Sequence, residues 1–115
     1  MATPRKTTTQ KTTKVAKTPT LTKVEQKRIK QLGAAWKLDE AGKKLTATFD
    51  FDRYLDGFMF ATRVSVHAEV LNHHPELCIT PRQVKVILST HTAKGVTALD
   101  IELAERINTL LSTHR

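Results

Sequence analysis

The chain has 115 residues, 39% hydrophobic and 26% charged, with a formal net charge of +8. That is one domain's worth of chain, with no apolar run near the ~20 residues of a membrane-spanning helix and no apolar leader that would read as a secretory signal. The single cysteine, Cys78, leaves no internal disulfide or Cys-rich zinc module and suits a reducing compartment.

The charge is unevenly placed. Residues 1–22 carry Arg5, Lys6, Lys11, Lys14 and Lys17 and no acid, whereas the other 93 residues hold 14 Lys/Arg against 11 Asp/Glu. Residues 1–20 are rich in Thr and Lys and contain Pro4 and Pro19. With so little apolar surface to offset ordering entropy they read as a disordered basic tail. A solvated arm, an organellar address and a nucleic-acid arm all fit that composition. The folding part, 21–115, is only mildly basic, so nucleic-acid binding is not expected of it.

Thr22 and Glu25 form a capping-box pattern that opens a helix over about 23–32, and Gly33 stops it. Residues 35–39 and 44–51 read as two strands around a turn at 40–43. In the second, Leu45, Ala47, Phe49 and Phe51 alternate with polar residues, the period of a half-buried strand. Asp52 is positioned to cap a long helix running to about Asn72. Along it Leu55, Phe58, Met59, Thr62, Val66 and Val70 recur at three- and four-residue spacing and form one apolar face. Pro75 forbids continuation. A second hairpin follows, 77–80 and 84–90, with Val84, Val86 and Leu88 facing the helices. Lys94-Gly95 breaks the chain. Thr97 and Asp100 start a last helix with Leu103, Ala104, Ile107, Leu110 and Leu111 on its apolar face. The order α-β-β-α-β-β-α predicts an α+β fold, a four-stranded antiparallel sheet with three helices on one face and the other face partly open.

Five histidines are present: His67, His73, His74, His91 and His114. The informative group is Glu69-x-x-x-His73-His74-Pro75 together with His91. One lies where the long helix ends and the other just past the second hairpin, so both can reach one rim of the sheet. Imidazoles titrate near neutrality and suit general acid and base work. Glu69 precedes His73 by one turn and is placed to orient that ring. Three histidines permit zinc, but neighbours in sequence rarely ligate one ion together, so no metal is expected. His67 reads as a surface or interface residue, Trp36 as a core or rim anchor, Asp100 as a helix-start residue favoured by the helix dipole, and Cys78 as a packed strand residue.

The whole segment 54–107 closely resembles the pterin-4a-carbinolamine dehydratases. The likeness is carried by Phe58-Met-Phe-Ala-Thr-Arg-Val64 with Ala68-Glu69, by Glu69-x-x-x-His73-His74-Pro75, by Ser89-Thr90-His91, and by Gly95 and Asp100; it extends from about Leu21 to the end and includes Trp36. The resemblance implies a lyase that dehydrates 4a-hydroxytetrahydropterin to quinonoid dihydropterin in tetrahydrobiopterin recycling, after aromatic amino-acid hydroxylases, with no cofactor. It places catalysis on His73, His74 and His91 and pterin contacts on His73, His74, Pro75, Thr90, His91 and Thr92, with Glu69 in support. His74 would orient the pterin and accept the N5 proton. His73 and His91 would protonate the leaving hydroxyl from opposite sides. It also implies self-association to a dimer or tetramer, a cytoplasmic or nuclear location, and, as the alternative function, a non-catalytic dimerisation cofactor of a homeodomain transcription factor. The chain departs from the family pattern at Asn72, usually Asp, at Leu77 and Pro81, usually aromatic, and at Leu99, in some members Arg.

Overall fold

A computed structural model describes residues 21–112. The basic tail at 1–20 and His114 lie outside the described residues. The elements run α1 (Lys23–Gln31), β1 (Trp36–Leu38), β2 (Leu45–Asp50), α2 (Tyr54–Leu71), β3 (Glu76–Ile79), β4 (Gln83–Leu88), a 3₁₀ turn (His91–Ala93) and α3 (Ala98–Ser112). The four strands form one antiparallel sheet in the order β1-β2-β4-β3. This is the expected α+β arrangement, with the elements in the expected order.

Local chemistry explains the boundaries. The Thr22–Glu25 capping box is complete: Glu25 N donates to Thr22 Oγ1 at 3.1 Å and Thr22 N to Glu25 Oε1 at 2.9 Å. Gly33 follows α1 with φ +104°, a left-handed conformation that glycine adopts without a Cβ clash. Alternation places Leu45, Ala47 and Phe49 of β2 and Val84, Val86 and Leu88 of β4 on the helix-covered face. There they pack with Phe60, Ala61, Val64 and Ala68 of α2 and Ile101, Leu103, Ala104 and Ile107 of α3. Trp36 is a core anchor. Its ring meets Phe49 edge-on at 5.8 Å, and its indole N–H donates to Asn108 Oδ1 at 2.9 Å. Asn108 also donates to the Leu32 carbonyl, so one side chain ties β1, α1 and α3 together.

Three expectations are corrected. The stripe Leu55, Phe58, Met59, Thr62, Val66 and Val70 of α2 faces outward, with Val70 68% exposed. The buried stripe is Gly57, Phe60, Ala61, Val64 and Ala68, because α2 has two apolar faces and the sheet takes the one with small residues and a single Phe. Gly57 permits that approach: a Cβ there would sit 3.1 Å from Val84 Cγ2. The N-cap of α2 is Arg53 rather than Asp52, and it makes no side-chain cap bond. Cys78 is exposed rather than packed, since its register opposite Lys85 puts it on the open face of the sheet.

Candidate active site

The two adjacent histidines owe their divergence to how α2 ends. Asn72 takes the left-handed conformation, φ 50° and ψ 45°. Its N–H bonds the Glu69 carbonyl at 3.1 Å, and the His73 N–H bonds the Ala68 carbonyl at 2.9 Å. This paired pattern is the Schellman motif, and asparagine tolerates its αL position better than most side chains. The residue in the usual Asp position thus serves as the helix terminator here. The sharp turn sends His73 inward, 9% exposed, and His74 outward.

His73 meets Asp100, a fully buried side chain at the start of α3. His73 Nε2 lies 2.5 Å from Asp100 Oδ1. The other carboxylate oxygen accepts from Thr90 Oγ1 at 2.7 Å and from the Thr97 backbone N–H at 2.9 Å. Thr90 spends its only proton on Asp100, so Thr97 must donate in the 2.7 Å bond between the two hydroxyls. With both oxygens acting as acceptors, Nε2 of His73 carries the hydrogen, and Nδ1 is the nitrogen left for proton transfer.

His74 Nε2 lies 2.5 Å from Glu69 Oε2, so the carboxylate expected beside His73 orients its neighbour instead. The reason is the Schellman turn, which carries His73 under α3 and leaves His74 on the Glu69 side. By the same logic Nδ1 of His74 is available as a base. His91 opens the 3₁₀ turn directly after Thr90, where Thr90 and Gly95 pair backbone to backbone and close the loop. His74 and His91 line one cleft of about 200 Å³, with Lys44, Glu76, Ile87 and Ser89. His73 and Thr90 belong to the Asp100 network, and these two, like Pro75 and Thr92, are not among the cleft's lining residues.

Sequence reasoning missed Lys44, Glu76 and Ser89 as cleft residues and gave Asp100 only a helix-start role. Strand register could have found the first three, since Lys44 and Ser89 extend the Leu45–Leu88 pair by one residue and Glu76 pairs with Ile87. Asp100 does open α3, but as a buried acceptor. His67 is half-buried and sits 3.3 Å from Arg106 Nη1, away from the cleft. Among the described residues no group of three His, Cys, Asp or Glu side chains could hold a metal ion, and no helix is long and apolar enough to cross a membrane.

Comparison with known proteins adds to this geometry. The family model described as pterin 4 alpha carbinolamine dehydratase matches residues 19–110. A Natronomonas pharaonis protein bearing that family's name is 48% identical over 80 residues, 70% of this chain and 85% of its own. One from Rhizobium leguminosarum is 42% identical over 72 residues, 63% of this chain and 71% of its own. The crystal structure of a transcriptional coactivator/pterin dehydratase from Brucella melitensis superposes with a TM-score of 0.70 at 32% identity, covering 78% of this chain and 96% of that one. A pterin dehydratase-like protein identified as a RuBisCO assembly factor in the alpha-carboxysome shares the fold at 19% identity, with a TM-score of 0.58.

Proposed function

The chain belongs to the pterin-4-alpha-carbinolamine dehydratase family, and from that premise we propose that it is a hydro-lyase converting 4a-hydroxytetrahydropterin to quinonoid dihydropterin by histidine acid–base catalysis. The observation that carries this reading is a single cleft lined by two histidines, one of them held through Nε2 by a carboxylate.

The reaction needs two proton transfers. The C4a–O bond breaks as the hydroxyl takes a proton and leaves as water. The N5–H proton goes to a base, and the N5–H electron pair becomes the new C4a=N5 bond. His74 is the base in this scheme, because Glu69 fixes its tautomer and stabilises the imidazolium that forms. His91 lines the same cleft and serves as the acid. His73 is the second acid in this scheme, held by Asp100. Thr90 acts through the same network. Pro75 shapes the exit of α2, and Thr92 is exposed in the 3₁₀ turn beside His91.

The outward stripe of α2 supports self-association. Tyr54, Leu55, Phe58, Met59, Val66 and Val70 account for six of the nine exposed large hydrophobics among the described residues. A contiguous apolar face on one helix is a signature of a contact surface. The same stripe favours the second reading, an interaction module working without catalysis; the Brucella protein is itself described as a transcriptional coactivator as well as a pterin dehydratase.

The deciding experiment supplies chemically generated 4a-hydroxytetrahydropterin and follows its loss. The wild type accelerates it and His74→Ala loses about 10²-fold or more of that acceleration. No acceleration by the wild type would leave the interaction module.

A further inference from the structure

We infer that the cleft selects pterins bearing an anionic substituent, a carboxylate or a phosphate ester, and that Lys44 is the residue that sets this preference. The inference rests on the pterin reading above and adds the substrate class to it.

The two flanks of the cleft differ in charge. On the β3 side stand His74 and the carboxylate of Glu76; on the β2 side stands Lys44. The register puts Thr46 opposite Ile87 and Ile87 opposite Glu76, so β2, β4 and β3 lie side by side across the open face. Lys44 lies one row further along, beside Ser89, so Lys44 and Glu76 face each other diagonally across two strand spacings and two residues, roughly 12 Å between backbones, with Ser89 and Ile87 as the floor between them. A pterin is itself polar along its length. Its 2-amino and N3–H groups form a pair of adjacent donors that matches a carboxylate such as Glu76. A ring held that way directs its far, substituted end toward β2.

What waits there is cationic. Lys44 is exposed and forms no ion pair among the described residues. Lys37 pairs with Thr46 in the register, faces the same open side one strand further out, and is likewise exposed. The backbone under Lys44 is pinned. Asp39 Oδ1 accepts from the N–H groups of Lys43 and Lys44 at 2.6 and 3.3 Å. The Asp39 N–H in turn bonds the Lys44 carbonyl, and the Gly42 carbonyl accepts from Val96 N at 3.1 Å. An unpaired ammonium on a held backbone at the rim of a small cleft adds a favourable charge contact with an anionic tail that a neutral hydroxylated side chain does not make.

The test compares kcat/KM of the full chain on three 4a-hydroxytetrahydropterins, whose C6 groups are methyl, carboxylate and phosphorylated hydroxymethyl. The wild type favours an anionic tail over methyl by about fivefold, the reach of one partly exposed charge pair. Lys44→Gln brings that ratio near one through KM, Lys44→Glu inverts it, and Lys44→Arg restores it. Preference for phosphate over carboxylate, or the reverse, names the anion. A ratio unchanged in Lys44→Gln, or an equal fall on all three substrates, overturns the inference. A second arm needs no turnover: quenching of the fluorescence of pterin-6-carboxylate and 6-methylpterin on binding. Equal affinities in the wild type overturn the anion preference whatever the activity. A preference for the carboxylate that Lys44→Gln abolishes, in a protein that turns over nothing, upholds the inference and removes only the dehydratase reading.

Discussion

His73 and Asp100, 27 residues apart in sequence, are hydrogen-bonded at 2.5 Å in the protein interior, joining the end of α2 to the start of α3. The pair is almost wholly shielded from water, so breaking it has consequences for stability as well as for chemistry. Asp100→Ala leaves Thr90, the Thr97 N–H and His73 without their acceptor and is expected to cost about 3–5 kcal/mol in urea unfolding. Asp100→Asn keeps the shape but can turn an N–H₂ toward the His73 N–H, donor against donor. Turnover is expected to fall by roughly 10- to 100-fold, a share of the ~10²–10⁴ that a positioned acid or base contributes. A variant with unchanged turnover would show that His73 acts without its carboxylate.

The exposed pair behaves differently. His74 and Glu69 are also 2.5 Å apart, but their side chains are 56% and 75% exposed. Solvent screens such a contact, so Glu69→Gln is expected to shift stability by less than about 1 kcal/mol. Its effect belongs to orientation of the ring, and kcat is expected to drop several-fold with little change in melting temperature. A loss of stability larger than the loss of kcat would assign Glu69 to the fold instead.

The outward stripe of α2 makes a prediction about mass. Met59→Asp places a charge where the side chain is already half in water, so the protomer is expected to stay folded by circular dichroism. A wild-type dimer or tetramer is expected to dissociate in sedimentation velocity, because a buried unpaired carboxylate is incompatible with a packed apolar contact. An assembly that survives Met59→Asp and Phe58→Asp together would move the contact elsewhere.

Arg28 and Glu105 clamp α1 to α3, with Nη2 of Arg28 2.7 Å from Oε1 and Nε 3.0 Å from Oε2. The hydrogen bond to Glu105 is the main cause that raises the Arg28 pKa above its ordinary value. A raised base contributes its full stabilisation below the unfolded pKa and loses it only as pH climbs through the folded one. The Arg28 side of the clamp is therefore constant from pH 6 to 9. Glu105→Gln is expected to cost up to about 1 kcal/mol, equally at both ends of that range and less in high salt. A cost that differs between pH 6 and 9 would mean another group is coupled to it.

The sequence by itself determined the order of elements, the two hairpins and the inward alternation of β2 and β4, because strand period, Gly33, Pro75 and the Thr22–Glu25 box are local signals that the final packing agrees with. It also marked His73, His74 and His91, through motifs short enough to read along the chain. It could not choose between the two apolar faces of α2, because both recur with helical spacing and only the fit of small residues such as Gly57 against Val84 decides which one the sheet accepts. Nor could it assign the carboxylates. Helical spacing gave Glu69 to His73, but the left-handed turn at Asn72 redirects the two rings and hands Glu69 to His74 and Asp100 to His73. Lys44 came to the cleft by strand register alone. Periodicity reports which residues share a face; which faces meet depends on chain segments far apart in sequence, and that was left to the tertiary structure.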